Sequence, residues 1–149
     1  MTATGPSALE LLRAARAQRG TLKAGMADYL EHLTVRSYSP QSVEFRAHML
    51  WYFACWCEER GLTSPTQVTR PLVQRYQRHL FYYRKANGQP LTAGTQYGRL
   101  QVVQMCFRYL VREGQLPANP AADIDLPRKV RSLPKAVLTQ KELEAVLAV

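Results

Sequence analysis

Glycines and prolines cut this chain into helix-length pieces, and within each piece the apolar residues recur every three or four positions. Ser7 to Arg19 is rich in Ala, Leu and Arg and stops at Gly20. From Thr21 to Val35, Leu22, Met26, Leu30 and Leu33 share one helical face. Ser39-Pro40 supplies a capping hydroxyl and then a proline at the first helical position, where its missing N–H costs nothing. The helix so opened runs to Arg60 and stops at Gly61, with Phe45, Met49, Phe53 and Trp56 as its apolar stripe. Thr69 caps the next helix, whose inward residues are Leu72 or Val73, Tyr76, Leu80 and Tyr83, and the turn Ala86-Asn87-Gly88-Gln89-Pro90 ends it. Thr92 caps another, which carries Leu100, Val103, Phe107 and Leu110 to a stop at Gly114. No segment alternates like a strand over a useful length, so the expected fold class is all-α.

Beyond Gly114 the pattern changes. Leu116-Pro117-Ala118-Asn119-Pro120 is a proline-rich turn. Residues 124–138 contain Pro127 and Pro134 with Arg128, Lys129, Arg131 and Lys135, and read as an extended basic linker. Thr139 stands at capping-box spacing from Glu142 and opens a helix that has only begun at Val149, the expected start of a second domain.

A chain of 149 residues holds one compact domain and a tail. Its 46% hydrophobic content is too high for a disordered protein. The longest apolar run, nine residues from Met49 to Cys57, is about half of what a membrane span requires. The N-terminus lacks the basic-then-apolar pattern of a secretory signal, and three cysteines cannot pair off into a disulfide framework. The expected location is therefore the cytoplasm, with no membrane partner.

The charge balance narrows the function. Twenty Lys and Arg against eleven Asp and Glu give +9, the footprint of a polyanion partner. The excess is clustered: residues 62–91 hold Arg70, Arg75, Arg78, Arg84 and Lys85 and no acid, while residues 39–61 sum to −1. Catalytic signals are lacking. Cys55 and Cys57 on one helix point about 200° apart and cannot easily share a metal. His32, His48 and His79 fall on three different helices without a carboxylate or second histidine at ligand spacing. No phosphate loop, nucleophile elbow or carboxylate pair is present in the sequence, so no cofactor, metal or catalytic residue is expected.

Four motifs then stand in order over about 120 residues. Tyr29-Leu30-x-x-Leu33 leads into Ser39-x-x-Ser42, and that helix closes on Trp56-x-x-x-Arg60-Gly61-Leu62. Val68-Thr69 opens a helix carrying Tyr76 and Leu80. Thr95-x-x-x-Arg99-Leu100 is followed by Phe107-Arg108-Tyr109-Leu110-Val111-Arg112-Glu113-Gly114. Asn119-Pro120-Ala121 precedes Leu133-Pro134-Lys135-x-x-Leu138-Thr139-x-x-Glu142-Leu143. In this order and spacing they resemble the N-terminal part of tyrosine recombinases, the phage integrases, above all those of the Xer type. The resemblance implies the core-binding domain of that family, a four-helix SAM-like bundle, here with an extra N-terminal helix and a C-terminal linker. On that frame residues 1–20 are a helical extension, 21–118 the DNA-binding core, 119–138 the basic linker and 139–149 the start of a catalytic domain. The family's catalytic residues belong to that later domain, so none is carried onto this chain and none of its eight tyrosines is expected to be a nucleophile.

The implied role is DNA binding within a site-specific recombinase, in the bacterial cytoplasm at the nucleoid. The partners are double-stranded DNA and other recombinase protomers on it. Two rival readings are a stand-alone helical DNA-binding regulator and a module whose basic face meets an acidic protein. The candidate contacts begin with Ser39, Gln41, Ser42 and Arg46, where Ser39 is most simply a cap. On the helix opened by Thr92, they are Thr92, Thr95, Gln96, Arg99, Gln101 and Gln104. Arg99 is expected to hold a phosphate and Gln104 to read a base edge, as glutamine can on adenine. Arg84 and Lys85 are backbone contacts or complements to a helix C-terminus. Arg128, Lys129 and Arg131 track phosphates from the linker. Trp51, Phe53, Trp56 and Phe107 read as core, and Arg75 and Arg78 as solvated.

Overall fold

The computed structural model describes residues 5–128, and these are helical as the apolar periodicity predicts. Five α-helices follow one another: α1 (Ala8–Ala15), α2 (Leu22–Val35), α3 (Pro40–Glu58), α4 (Arg70–Tyr82) and α5 (Ala93–Arg112), with one 3-10 turn at Pro65–Gln67. Every α-helix opens on a hydroxyl side chain that accepts a first-turn N–H. Ser7 takes Glu10, Thr21 takes Ala24, Ser39 takes Ser42, Thr69 takes Leu72 and Thr92 takes Thr95. Each such cap stabilises by about 1 kcal/mol, and its signal is local enough to read from sequence. The helix opened by Thr139, and Lys129, Arg131 and Lys135, lie outside the described residues.

The helix ends are built as deliberately. Leu62 N–H reaches back to the Cys57 carbonyl at 3.0 Å, and Gln115 N–H to Leu110 at 2.8 Å, with Gly61 and Gly114 at positive φ between. These are Schellman closures. The end of α2 makes the same 6→1 bond, Tyr38 N–H to Leu33 at 3.1 Å, but the residue turning the corner is Ser37, at φ +66°. The first helix is shorter than the 7–19 expected. It stops at Ala15, and the chain then turns so that Arg16 and Arg19 both pair with Asp28 of α2, at 2.9 and 3.3 Å.

All five helices share one core. Leu9 and Leu12 of α1 pack into the same apolar cluster as α2 and α3, so the N-terminal helix is part of the body. At the centre the Phe53 ring stands edge-on to Tyr76 and Phe107, with centroids at 4.8 and 6.1 Å. Gly25 sits inside α2 where α5 presses closest: a Cβ there would lie 3.1 Å from a Leu110 methyl. Two expectations of the apolar stripes fail. Phe45 is 56% exposed, and Tyr83 is also exposed. The buried row of α3 is Val43, Ala47, Leu50, Ala54 and Cys57, together with Met49, Phe53 and Trp56. A helix with apolar residues on most sides offers more than one stripe, and tertiary packing selects among them.

The chain does not leave the body at Gly114. Leu116, Ala121 and Ile124 are buried in the core, and Gln77 of α4 donates to the Asp125 carbonyl at 2.7 Å. Residues 119–126, expected as part of a linker, are a return segment packed on α4 and α5.

Candidate nucleic-acid interface

The helices α3 and α5 cross so that the first half of one lies by the second half of the other. Arg46 of α3 reaches Met105 of α5, while Arg99 of α5 stands 4.1 Å from the Tyr52 ring of α3. The predicted contact residues are thereby sorted to two ends of this helix pair.

One end is the opening of α3. Ser39 and Gln41 are exposed and Ser42 is half-buried. Beside them a cleft between α2 and α5 is lined by Arg36, Tyr38, Met105, Arg108, Tyr109 and Arg112, among others, with no carboxylate in its wall. The Tyr38 ring lies between two guanidiniums, 5.6 Å from Arg36 and 5.5 Å from Arg46. Arg46 itself is half-buried and donates to the Tyr29 hydroxyl at 3.1 Å. Burial pushes the Tyr29 hydroxyl above its usual range, opposed by the Arg46 charge. Arg112 meets His32 at 3.2 Å, and the His32 ring packs on Tyr109 at 4.8 Å. Since arginine can only donate, the His32 Nε2 accepts this bond. Arg36 and Arg112 had no part in the expected set. Their signal was faint, because Arg36 caps α2 and Arg112 ends α5, and a base at a helix C-terminus is ordinary.

The other end is the opening of α5. Thr92 and Thr95 are exposed and bonded to each other at 3.0 Å. Arg99, Tyr52, Tyr83, Lys85 and Glu59 line a second cleft of about 450 Å³ with the buried Trp56 and Tyr76. The Nε of Arg99, the Oη of Tyr76 and the Nε1 of Trp56 are buried without a hydrogen-bond partner among the described residues. Burial raises the Tyr76 hydroxyl well above its normal range, with the nearby Arg99 charge opposing. Arg84 is exposed and turns back to the carbonyls of Phe81 and Tyr83 at 3.3 and 3.1 Å, so it closes the end of α4. Lys85 and Arg128 are exposed.

Two expected contacts are corrected by the geometry. Gln96 is only 7% exposed, and its amide donates to the Leu91 carbonyl at 3.0 Å. It braces the turn into α5 and presents nothing to a ligand. Gln104 is half-buried; its side-chain amide donates to the Ala121 carbonyl at 2.8 Å, while its main-chain carbonyl accepts from the Asn119 side chain at 3.1 Å. In this structure it fastens the return segment to α5. Gln101, also half-buried, remains on that helix face.

Burial raises the Cys57 thiol to about 12 and pushes Cys106 up as well, so neither is a ready nucleophile. Among the described residues no group of His, Cys, Asp and Glu could hold a metal, and no helix is long and apolar enough to cross a membrane.

An all-helical body of this shape is found in the integrase of mycobacterium phage Brujita, with a TM-score of 0.59 at 21% identity, over 83% of this chain and 39% of that one. In sequence, the chain is 47% identical over 123 residues to tyrosine recombinase XerC 2 of Ralstonia nicotianae, covering 83% of this chain and 35% of that protein. It is 30% identical over 116 residues to tyrosine recombinase XerC of Lactobacillus delbrueckii subsp. bulgaricus, covering 77% of this chain and 36% of the relative. No family model matches. By these relatives the chain belongs to the tyrosine recombinase family, and it spans about a third of the length of the curated relatives it matches.

Proposed function

We propose that this chain binds duplex DNA as the helical DNA-binding part of a site-specific recombinase, and that its own residues perform no strand cleavage. The observation that carries this reading is the acid-free cleft of Arg36, Arg108 and Arg112 beside the opening of α3. The positive end of the α3 dipole and three arginines favour an anionic oxygen there. The opening of α5, with Thr92, Thr95, Arg99 and Lys85, supplies a second anionic contact at the far end of the helix pair. A helix the length of α3, 19 residues, spans about 28 Å, enough for its two ends to meet separate phosphates along a duplex. The binding unit runs from α1 through Leu126, because the core does. Basic residues beyond it, Arg128, Lys129 and Arg131, extend the phosphate track, and neighbouring protomers share the same DNA.

The test is anisotropy titration of a labelled duplex at several salt concentrations. Affinity is expected to fall steeply with salt, by about 0.9 in the log–log slope for each neutralised phosphate. The double change Arg108→Ala and Arg112→Ala should weaken cognate and random duplexes alike and flatten that slope by about two contacts. Salt-independent binding, or none at low salt, overturns the reading. Preference for an acidic protein over DNA in competition would favour the protein-interaction alternative.

A further inference from the structure

A third surface adjoins the second cleft, sharing Trp56, His79 and Tyr83 with it, and extends along α4 away from Thr92, Thr95, Arg99 and Lys85. Trp56 and Arg60 from α3 and its end, and Arg75, Arg78, His79, Tyr82 and Tyr83 from α4 and its end, line one open groove of about 560 Å³. Two of its features are unusual for a solvated face. Tyr82 is 69% exposed and its neighbour Phe81 58%, large rings left in water at the end of an amphipathic helix. Arg75 and Arg78, one turn apart, have neither an ion pair nor a hydrogen bond among the described residues. Arg60 is differently placed: its guanidinium lies 3.9 Å from the Trp56 ring and donates to the Trp56 carbonyl at 2.8 Å. No carboxylate lines the groove, and the whole of residues 62–91 is free of acids.

We propose that this groove holds single-stranded DNA, with an unpaired base stacked on Tyr82 and flanking phosphates on Arg75 and Arg78. Exposed aromatic faces set among unpaired cations suit a strand that offers both π-faces and phosphates, and every base has a face to stack. A base inside a duplex keeps its faces covered by its neighbours, so the rings here select an unstacked strand. The volume lies within the roughly 300–1,000 Å³ of small-ligand clefts. This inference does not rest on the duplex reading, which uses other residues.

The experiment uses the full chain and three labelled probes: oligo-dT of about 15 nucleotides, near the upper site size of single-strand binders, the same backbone without bases, and a duplex. The variants are Tyr82→Ala, Tyr82→Trp, and Arg75→Ala with Arg78→Ala, all at exposed positions, with melting curves to verify folding. Tyr82→Ala should weaken oligo-dT binding by roughly 5-fold or more, the loss of one stacked base, and Tyr82→Trp should restore it. Duplex binding by Tyr82→Ala should stay within about twofold of the parent. The double arginine change should weaken oligo-dT and the abasic probe together. The proposal is overturned if Tyr82→Ala leaves oligo-dT binding unchanged, if the abasic strand binds as tightly as oligo-dT, or if polyglutamate displaces oligo-dT as well as unlabelled DNA does, which would make the groove a site for acidic protein. Duplex binding lost with Tyr82-dependent oligo-dT binding intact would sink the duplex reading and leave this one standing.

Discussion

Ser37 holds a backbone conformation that costs an L-residue roughly 1–2 kcal/mol, φ +66°, because α2 closes as though a glycine stood there. Ser37→Gly should therefore stabilise the protein by up to about 1 kcal/mol, after the greater freedom of glycine in the unfolded chain is offset. Urea unfolding would check this, and an unchanged or lowered midpoint would show that the serine conformation carries no strain. Single residues were also where the sequence misled. Gln96 and Gln104 stand on a polar helix stripe that looks the same whether it faces DNA, water or the chain itself. Gln104 donates to a carbonyl seventeen positions on, and no periodicity reports such a partner. Phe45 failed for a related reason: on α3 the row Val43, Ala47, Leu50, Ala54 and Cys57 competes with the row that contains it.

Among the elements, the five helices and their caps were legible because a cap is a contact between residues three apart, and a glycine stop is a property of one residue. The return segment was not legible, since prolines and basic residues make a docked turn and a free linker look alike. Gln104→Ala should remove the shorter of the two hydrogen bonds to the Ala121 carbonyl, leaving that from the Ile124 N–H at 3.4 Å, at a cost of about 1 kcal/mol, and release residues 116–126 first. Hydrogen exchange would register faster exchange in that segment with α2 and α3 unaffected. The same variant should not alter the ratio of cognate to scrambled duplex affinity. A change in that ratio would return Gln104 to base reading.

For the molecule as a whole, acid should erode stability through His79. Burial first, then the charges of Arg60 and Arg99, hold its ring below the usual histidine range, with Glu59 opposing. The unfolded chain takes up a proton near pH 6.5, the folded one only at lower pH. Stability is thus unaffected by His79 well above pH 6.5 and falls as pH drops from there towards the folded value. Melting curves at pH 7.5 and 5.5 should differ, and His79→Gln should narrow the difference; an identical difference in the variant would remove His79 as the cause. On the same scale, clustered charge told of a polyanion partner, yet the division of the surface into two clefts and a groove emerges only once helices distant in sequence are packed together. That packing has a mechanical outcome at the exit of the chain. The stretch from Glu113 to Leu126 is fourteen residues, and at about 3.5 Å each a free strand of that length would reach roughly 50 Å. Held by Gln77, Gln104 and Asn119, they are docked on the helices and do not extend as a free strand. Anything tethered past Arg128 is on a leash measured from the side of α4 and α5, and its search volume shrinks accordingly, so loosening that anchor would lower its effective concentration at any ligand held by the helical body.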